Sequence, residues 1–284
     1  MAHGLLGIDH TLVGVADLDQ AAMSWTRLGF TLSPRGRHIG WGTANYCVMF
    51  KRDYIELLGI LDPTQFVNGL DRFLAEAGEG PMGFAYASAD NEATRVSLAA
   101  AGLEPSEVKD LARQLELPEG TALPRFKLVF LPPGTAPGVS SFVTHHLTPE
   151  LLRRPEWLVH ANAAVGIKGL TIAIDDPVAL VPAYERLLGP QAVNRTDDIV
   201  TLHVGRHTIL FANRWDLEAL HPELDPVEES AAPRIALMTL ASADLERTID
   251  HLTFGQVEFE QRRGHAVLVP GFAATGAALE FVPA

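Results

Sequence analysis

The chain has 284 residues, of which 47% are hydrophobic and 20% are charged, a composition that supports the core of one or two domains and argues against disorder. Its formal net charge of −13 disfavours binding to nucleic acids and to anionic lipid surfaces. The single cysteine, Cys47, excludes an internal disulfide and a thiolate metal cluster. We find neither a signal-peptide pattern nor an apolar run long enough to span a membrane, and we therefore expect a cytoplasmic protein.

One pattern recurs four times along the chain: a short strand, an aspartate that caps a helix, and a glycine that ends the helix. The aspartate and glycine pairs are Asp17 and Gly29, Asp90 and Gly102, Asp176 and Gly189, and Asp244 and Gly255. Because further strands follow each helix, the period predicts repeated β-α-β-β-β modules whose faces bury one another. The alternative is a chance recurrence of the common β-α unit.

In chain order, the first copy predicts a strand at residues 10–15, a helix at 17–27, and strands near 31–32, 42–50 and 54–60. The second predicts a strand at 80–89, a helix at 92–101, and strands at 126–131 and 140–146, with an insertion at 103–124 that has a helical pattern near 106–115. The third predicts strands at 166–174, 199–204 and 208–212. The fourth predicts strands at 234–240, 256–262, 266–269 and 277–282. Residues 149–164 are interpreted as a connector, and 216–233 as an acidic linker with one short helix.

Two residues of the first copy suggest chemistry. His10 lies in the opening strand and Glu56 in the closing strand, where the flanking Ile55 and Leu57 make an unpartnered carboxylate costly to bury. An imidazole and a carboxylate together suit a divalent first-row metal with open positions for a substrate. The alternative is that His10 is a satisfied core histidine and Glu56 points to solvent.

Motifs in the first half resemble the vicinal oxygen chelate superfamily, which includes glyoxalases, extradiol dioxygenases and bleomycin-resistance proteins. The matching residues are Gly7-Ile8-Asp9-His10, His38 with Gly40, Gly42-Thr43-Ala44-Asn45, and Tyr54-Ile55-Glu56-Leu57-Leu58. The resemblance implies an α+β fold of four βαβββ modules with mixed curved sheets, paired into two glyoxalase-like domains. The N-terminal domain would span residues 1–150 (modules 5–62 and 80–148), and a connector (151–164) would precede a C-terminal domain at 165–284 (modules 165–213 and 233–284).

The resemblance also implies metal ligands on the first and last strands of the modules. The first-strand ligand falls on His10 and the last-strand carboxylate on Glu56, whereas the second module offers no first-strand ligand at Gly83. Its last strand offers Thr144, His145 and His146. If Thr144 corresponds to Glu56, strand alternation turns Phe142, Thr144 and His146 inward, which favours His146 over His145 as the third ligand. The expected cofactor is a divalent Fe, Ni, Zn or Mn ion.

Such a site could polarise a substrate oxygen as a Lewis acid or hold iron for oxygen chemistry. Glu56 could instead act as the base in a proton transfer. We expect His38, Thr43, Asn45 and Thr144 to contact the substrate. For the residues of the 38–45 hairpin, the alternative is a purely structural role in a tight turn.

The second half offers less. Gly169 and Leu210 take the places of His10 and Glu56, and Glu280 has no histidine to accompany it. We expect His203, His207 and His265 at the surface, and His160 and Asn162 in a solvated connector. The second domain is therefore predicted to carry a degenerate site.

Two functions remain open at this point. The first is a metal-dependent lyase, isomerase or ring-cleaving dioxygenase that acts on a small oxygenated molecule bound bidentately to the metal. The second is a metal-free protein that sequesters a small molecule, as bleomycin-resistance proteins do. A small-molecule partner is expected in both cases, with no nucleic-acid or membrane partner, and a homodimer is left open.

Overall fold

The computed structural model describes residues 2–224, 233–262 and 265–284. Two mixed sheets carry most of the chain. The strands of the first sheet are Leu5–Gly14 (β1), Gly36–His38 (β2), Thr43–Met49 (β3), Tyr54–Ile60 (β4), Gly80–Ser88 (β5), Lys109–Leu117 (β6), Gly120–Ala122 (β7), Arg125–Leu131 (β8) and Ser140–His146 (β9). Those of the second sheet are Ala164–Ala173 (β10), Val193–Thr196 (β11), Ile199–Val204 (β12), His207–Ala212 (β13), Arg234–Ser242 (β14), Glu260–Arg262 (β15), Ala266–Val269 (β16) and Leu279–Pro283 (β17).

The described residues also form six α-helices, which lie against these sheets: Leu18–Arg27 (α1), Leu70–Ala77 (α2), Asn91–Ala100 (α3), Val181–Leu188 (α4), Arg214–Leu220 (α5) and Leu245–Phe254 (α6). The predicted α+β class, with modules in which a strand and a helix precede further strands, is confirmed. No helix among the described residues is both long and apolar enough to cross a membrane.

The helix signals found in the sequence act as expected at three of the four repeats. Asp17 accepts hydrogen bonds from the backbone amides of Asp19 and Gln20 at 3.0 Å, and Asp90 and Asp244 cap α3 and α6 in the same way. The third repeat differs, because Asp176 caps a short 3-10 turn and the α-helix begins only at Val181.

The strand order of the first sheet is β2-β3-β4-β1-β5-β9-β8-β6-β7, and an additional pairing joins β2 to β6. This pairing sets His38 opposite Arg113 and turns the sheet into a closed wall around a cavity. The second sheet has the order β11-β12-β13-β10-β14-β17-β16-β15, and its described strands have no closing pair.

The helix expected near residues 106–115 is wrong, because this segment forms strand β6. Its ladder bonds to β2 and β8 satisfy the backbone, and Arg113 and Leu115 are buried at alternating positions. Long-range pairing therefore overrides the local helical pattern. In the predicted linker at 216–233, α5 supplies the short helix, and residues 225–232 lie outside the described part of the chain.

The two sheets meet through buried polar contacts. Asp53 is fully buried and accepts hydrogen bonds from Arg206 and from the backbone amide of Ile167, at 2.9 Å for the latter. His207 lies beside it, with Nε2 at 3.3 Å from the Asp53 carboxylate and Nδ1 accepting from the amide of Ile8. The expectation that His207 is a surface residue is therefore wrong.

His160 and Asn162 of the connector are buried rather than solvated. His160, 2% exposed, accepts a hydrogen bond from the amide of Thr31 at Nδ1 and contacts the carbonyl of Met49 through Nε2, both at 3.0 Å. Asn162 donates to the carbonyl of Leu28 and accepts from the amide of Ala164. His160 thus joins two backbone segments of the N-terminal half, and Asn162 joins that half to the first strand of the second. Neither side chain lines the cavity that the first sheet encloses.

Burial lowers the pKa of His160 to about 4, although its hydrogen bond to Met49 opposes the shift. In the unfolded chain His160 has its ordinary pKa of 6.5, so the unfolded state binds a proton at a higher pH than the folded state does. The contribution of the neutral, buried His160 to stability is therefore present above pH 6.5 and is lost as the pH falls toward 4. We expect the free energy of unfolding to fall by about 2 kcal/mol more between pH 7 and pH 5 in the wild type than in His160→Gln. Urea denaturation at both pH values measures this. His203→Gln, at an exposed position, is the control and should show the same fall in the free energy of unfolding between pH 7 and pH 5 as the wild type. An equal fall in the wild type and in His160→Gln would contradict the prediction.

Candidate active site in the N-terminal cup

The first sheet encloses a cavity of about 550 Å³, including its mouth, which we call the cup. Its wall is mainly apolar, with Leu12, Trp41, Leu58, Phe126, Phe130 and Phe142 among the lining residues. Its polar side chains are His10, His38, Thr43, Tyr54, Glu56, Asn68, Arg113 and Thr144. The alternation of side chains along β1, β4 and β9 explains why residues two apart enter the cup together.

Glu56 is the central charge of the cup and is only 4% exposed. Asn45 donates a short hydrogen bond to Oε1, and the Nε2 atoms of His38 and His10 lie 3.6 Å from Oε1 and 3.5 Å from Oε2, respectively. Burial by itself raises the pKa of the carboxyl. The charges of His38, His10 and Arg113, together with the Asn45 hydrogen bond, outweigh burial and hold the pKa below its usual value.

The hairpin of β2 and β3 supplies a supporting chain of hydrogen bonds. His38 Nδ1 lies 2.8 Å from the Thr43 hydroxyl, and Asn45 Nδ2 lies 3.4 Å from His38 Nε2. Burial lowers the pKa of His38 to about 4. The positive charges of Arg113 and His10 lower this pKa as well, whereas the negative charge of Glu56 raises it. The ring nitrogens of His38 thus link Thr43 to Asn45, and the three residues predicted from the hairpin motif lie together beside Glu56.

Behind His10 lies a carboxylate that the sequence analysis did not predict. Asp9 Oδ1 lies 2.7 Å from His10 Nδ1 and 2.9 Å from His146 Nε2. Adjacent strand residues normally face opposite sides, but the register of β1 against β5 shifts between Ile8 and His10, and such bulges re-aim side chains. Burial by itself raises the pKa of the Asp9 carboxyl, but the charges and hydrogen bonds of His146 and His10 lower it by more. The net shift of the Asp9 pKa is therefore downward.

The predicted metal ligands do not meet as one set. His146 lies at the end of β9 against Tyr54 and Phe126, with ring centroids 6.0 and 5.0 Å away, and its Nε2 is occupied by Asp9 rather than turned to Glu56. His10 Nε2 and Glu56 Oε2 are the two predicted donors that lie close together. Within the described residues, no three His, Cys, Asp or Glu side chains form a group that could hold a metal ion.

Catalytic zinc sites usually have three protein ligands, so this donor set does not fit a resident metal of the predicted kind. The first strand of the second module adds no ligand beside His10, because Ala85 lies opposite it in the antiparallel register. Gly83 lies opposite Leu12, and a Cβ there would come within 2.4 Å of the Ser140 carbonyl oxygen. Thr144, the inward residue predicted on β9, is buried and lines the cup.

A second residue missed from the sequence is Arg113 on β6, which is 1% exposed and lines the cup. Its Nη1 donates to Cys47 Sγ at 3.1 Å. The sequence analysis missed Arg113 because it expected a helix here, and side chains two residues apart do not share a face of a helix. Recognising the alternation of Leu111, Arg113 and Leu115 as a strand pattern would have revealed this residue.

The second sheet has no comparable group among its described residues. Thr171 pairs with Leu210 as Leu12 pairs with Glu56, so an apolar side chain occupies the place of the carboxylate. Glu280 accepts hydrogen bonds from Arg262 at 2.7 Å and from Thr239 at 3.3 Å. An ion pair within the sheet thus satisfies the carboxylate of the fourth module.

Comparison with solved structures supports the fold. A protein from Staphylococcus aureus, described as hypothetical, matches with a TM-score of 0.68 at 12% identity, over 98% of this chain and 99% of its own. A mutant of 4-hydroxymandelate synthase from Streptomyces coelicolor matches with a TM-score of 0.58 at 12% identity, over 98% of this chain and 92% of its own. A fusion of a xylose isomerase-like TIM barrel with a 4-hydroxyphenylpyruvate dioxygenase matches with a TM-score of 0.55 at 11% identity, over 100% of this chain and 50% of its own.

No curated protein matches the chain significantly. The profile of a family described as a glyoxalase-like domain, however, matches residues 8–188. This range contains the residues that line the cup, together with the first strand and the helix of the third module (β10 and α4). It agrees with the resemblance found in the motifs around His10 and Glu56. The chain therefore belongs to the glyoxalase-like domain family of the vicinal oxygen chelate superfamily.

Proposed function

We propose that the protein is an enzyme that transfers a proton within a small oxygenated organic molecule held in the cup, with Glu56 as the general base. The observation that carries the proposal is a carboxylate that is buried in a mainly apolar cavity and bound by a neighbouring amide. Asn45 holds Oε1, while Oε2 faces His10 at 3.5 Å. A base that is positioned and shielded from water in this way is suited to remove a proton from carbon next to a carbonyl group.

In the proposed step, the C–H bond breaks, its proton passes to Glu56, and its electron pair moves onto the carbonyl oxygen as an enolate. The proton then returns to carbon, at the same atom or at a neighbouring one, which gives exchange, epimerisation or isomerisation. His10, oriented by Asp9, lies close enough to Oε2 to share this proton. Thr144 is proposed to contact the substrate oxygen, and His38, Thr43 and Asn45 to position Glu56.

The side chains of the cup do not fit the divalent metal expected from the resemblance, and the proposed proton transfer does not depend on such a metal. Asn45 already binds one oxygen of Glu56, and the positive charge of Arg113 acts on this carboxylate. Both features favour an ionised base over a cation ligand. Ring cleavage of a catechol-like substrate with iron and oxygen is the metal-dependent alternative.

A binding protein is the second candidate, and the apolar wall favours it. Aromatic and aliphatic side chains such as Trp41, Phe126 and Phe142 would hold a small molecule by burial alone, without chemistry. The two candidates differ in one observable, because only the enzyme exchanges substrate hydrogen with solvent.

Solvent-deuterium exchange tests the proposal. A panel of aldehydes, ketones and 2-oxo acids is incubated with the protein in D₂O, and deuterium at the carbon next to the carbonyl is measured by NMR. We expect exchange in the wild type and a loss of about 10²- to 10⁴-fold in Glu56→Gln, which keeps the shape but removes the base. Glu280→Gln is the matched control, because it removes a buried carboxylate from a strand of the other sheet, and it should retain the exchange rate.

If no compound that binds to the protein exchanges hydrogen, the proposed enzymatic function would be contradicted and a binding function would be supported. Full exchange in Glu56→Gln would contradict the assigned base. Circular dichroism checks that both variants keep the fold.

The pH dependence gives an independent check. Glu56 acts as a carboxylate, and its pKa is held below the ordinary 4.5 by its neighbours. The acid limb of kcat/KM, which reports groups of the free enzyme, is therefore expected below pH 4.5. An acid limb well above that value that responds to Glu56→Asp would contradict the assignment.

Elemental analysis addresses the metal. We expect purified protein to contain no stoichiometric divalent metal and its exchange rate to be unchanged by a chelator. One metal per chain, lost in both His10→Ala and Glu56→Ala, would contradict this expectation and restore the site predicted from the sequence. Iron together with oxygen consumption would support the dioxygenase.

A further inference from the structure

Arg113 is a buried cation whose hydrogen-bonding capacity is only partly used by the described residues of the protein. Its Nη1 contacts Cys47, whereas Nε and Nη2 are buried and have no hydrogen-bond partner in the described part of the chain. Leaving donors of a charged group unpaired away from water is costly. Such a group is therefore expected to be paired when the protein performs its function.

The contact with Cys47 does not neutralise the guanidinium. Burial raises the pKa of the Cys47 thiol to about 11, against the opposing effect of Arg113, so the sulfur is uncharged at neutral pH. The Phe126 ring lies 5.8 Å from Cζ of Arg113 and adds only a cation–π contact. Among the described residues, no carboxylate lies within ion-pair distance of this side chain, and Glu56 is held by Asn45.

Space for the arginine is built into the neighbouring strand. A Cβ at Gly36 would lie 2.4 Å from Asn45 Oδ1 and 2.5 Å from Arg113 Cδ. Only a glycine therefore lets the arginine stem pass over β2 while Asn45 keeps its contact with Glu56. Gly36 therefore leaves room both for Asn45, which binds Glu56, and for Arg113.

We propose that Arg113 binds the carboxylate of the substrate, and that the substrate is a small monocarboxylic acid with an apolar, ring-sized body. The planar guanidinium fork matches a carboxylate through two parallel N–H···O bonds. Next to it, Leu111, Leu128, Phe130 and Phe142 form the apolar wall that would receive the body of the acid. A single arginine beside the negative charge of Glu56 suits a monoanion better than a phosphate dianion.

This inference rests on the same site as the proposed function, but it predicts binding, not turnover. Binding can therefore be measured in Glu56→Gln, where the proposed chemistry is blocked. Because that variant removes a negative charge from the cup, it should bind carboxylates at least as tightly as the wild type does. Loss of exchange and loss of acid recognition are thus separate results.

Isothermal titration calorimetry with phenylacetate, 3-phenylpropionate and hexanoate, each against its amide, is the test. The wild type is expected to bind at least one acid about 10- to 100-fold more tightly than its amide, the range for hydrogen bonds to a charged group. Arg113→Met is expected to lose this preference, and Arg113→Lys to retain part of it. Arg37→Met is the matched control on the adjoining strand β2, where the side chain is exposed, and it should bind as the wild type does.

The acid and amide comparison in the wild type does not depend on any variant folding. Equal affinity for acid and amide would overturn the inference and leave the role of Glu56 to be judged by the exchange assay. The absence of binding by all three acids would overturn the substrate class. Tighter binding of phenyl phosphate than of phenylacetate would overturn the monocarboxylate in favour of a phosphate ester.

Discussion

The burial of one negative charge organises the N-terminal half of this protein. Glu56 lies in a mainly apolar cavity, where an isolated carboxylate would be unfavourable. It remains ionised because β1, β2, β3 and β6 each direct one polar side chain toward it, namely His10, His38, Asn45 and Arg113. These strands surround it only because β2 pairs with β6 and closes the sheet. The closing pair is therefore a condition of the site as much as of the fold.

The second sheet shows what the same frame looks like without this constraint. Its strands follow a similar order, but the described strands lack a closing pair, and Leu210 takes the place of the carboxylate. The acidic residue that remains, Glu280, is bound by Arg262 within the sheet. A charge that is already paired has little left to offer a ligand, which is why the chemistry of the molecule is assigned to one cup. The second sheet instead contributes to the buried contacts around Asp53 that join the halves.

The motifs predicted part of the site and missed two of its charges. His10, Glu56 and the hairpin residues are short-range features of recognisable motifs, and they do lie together. Asp9 was missed because strict alternation places it opposite His10, whereas the bulge turns it toward that ring. Arg113 was missed because its segment was expected to be helical. The same bulge explains why His146 binds Asp9 rather than joining Glu56.

The sequence by itself determined the four repeated modules and the aspartate caps of three helices, because these depend on interactions between residues close together in the chain. It also indicated the family, because the motifs that carry the resemblance are short and contiguous. The tertiary structure alone decided which polar groups share the cup. Strand pairing between distant segments, such as β2 with β6, and a register shift in β1 set those neighbours. No local pattern encodes these, since a ladder hydrogen bond can be made with any strand that reaches it. Burial of His160, Asn162 and His207 follows from the same long-range packing.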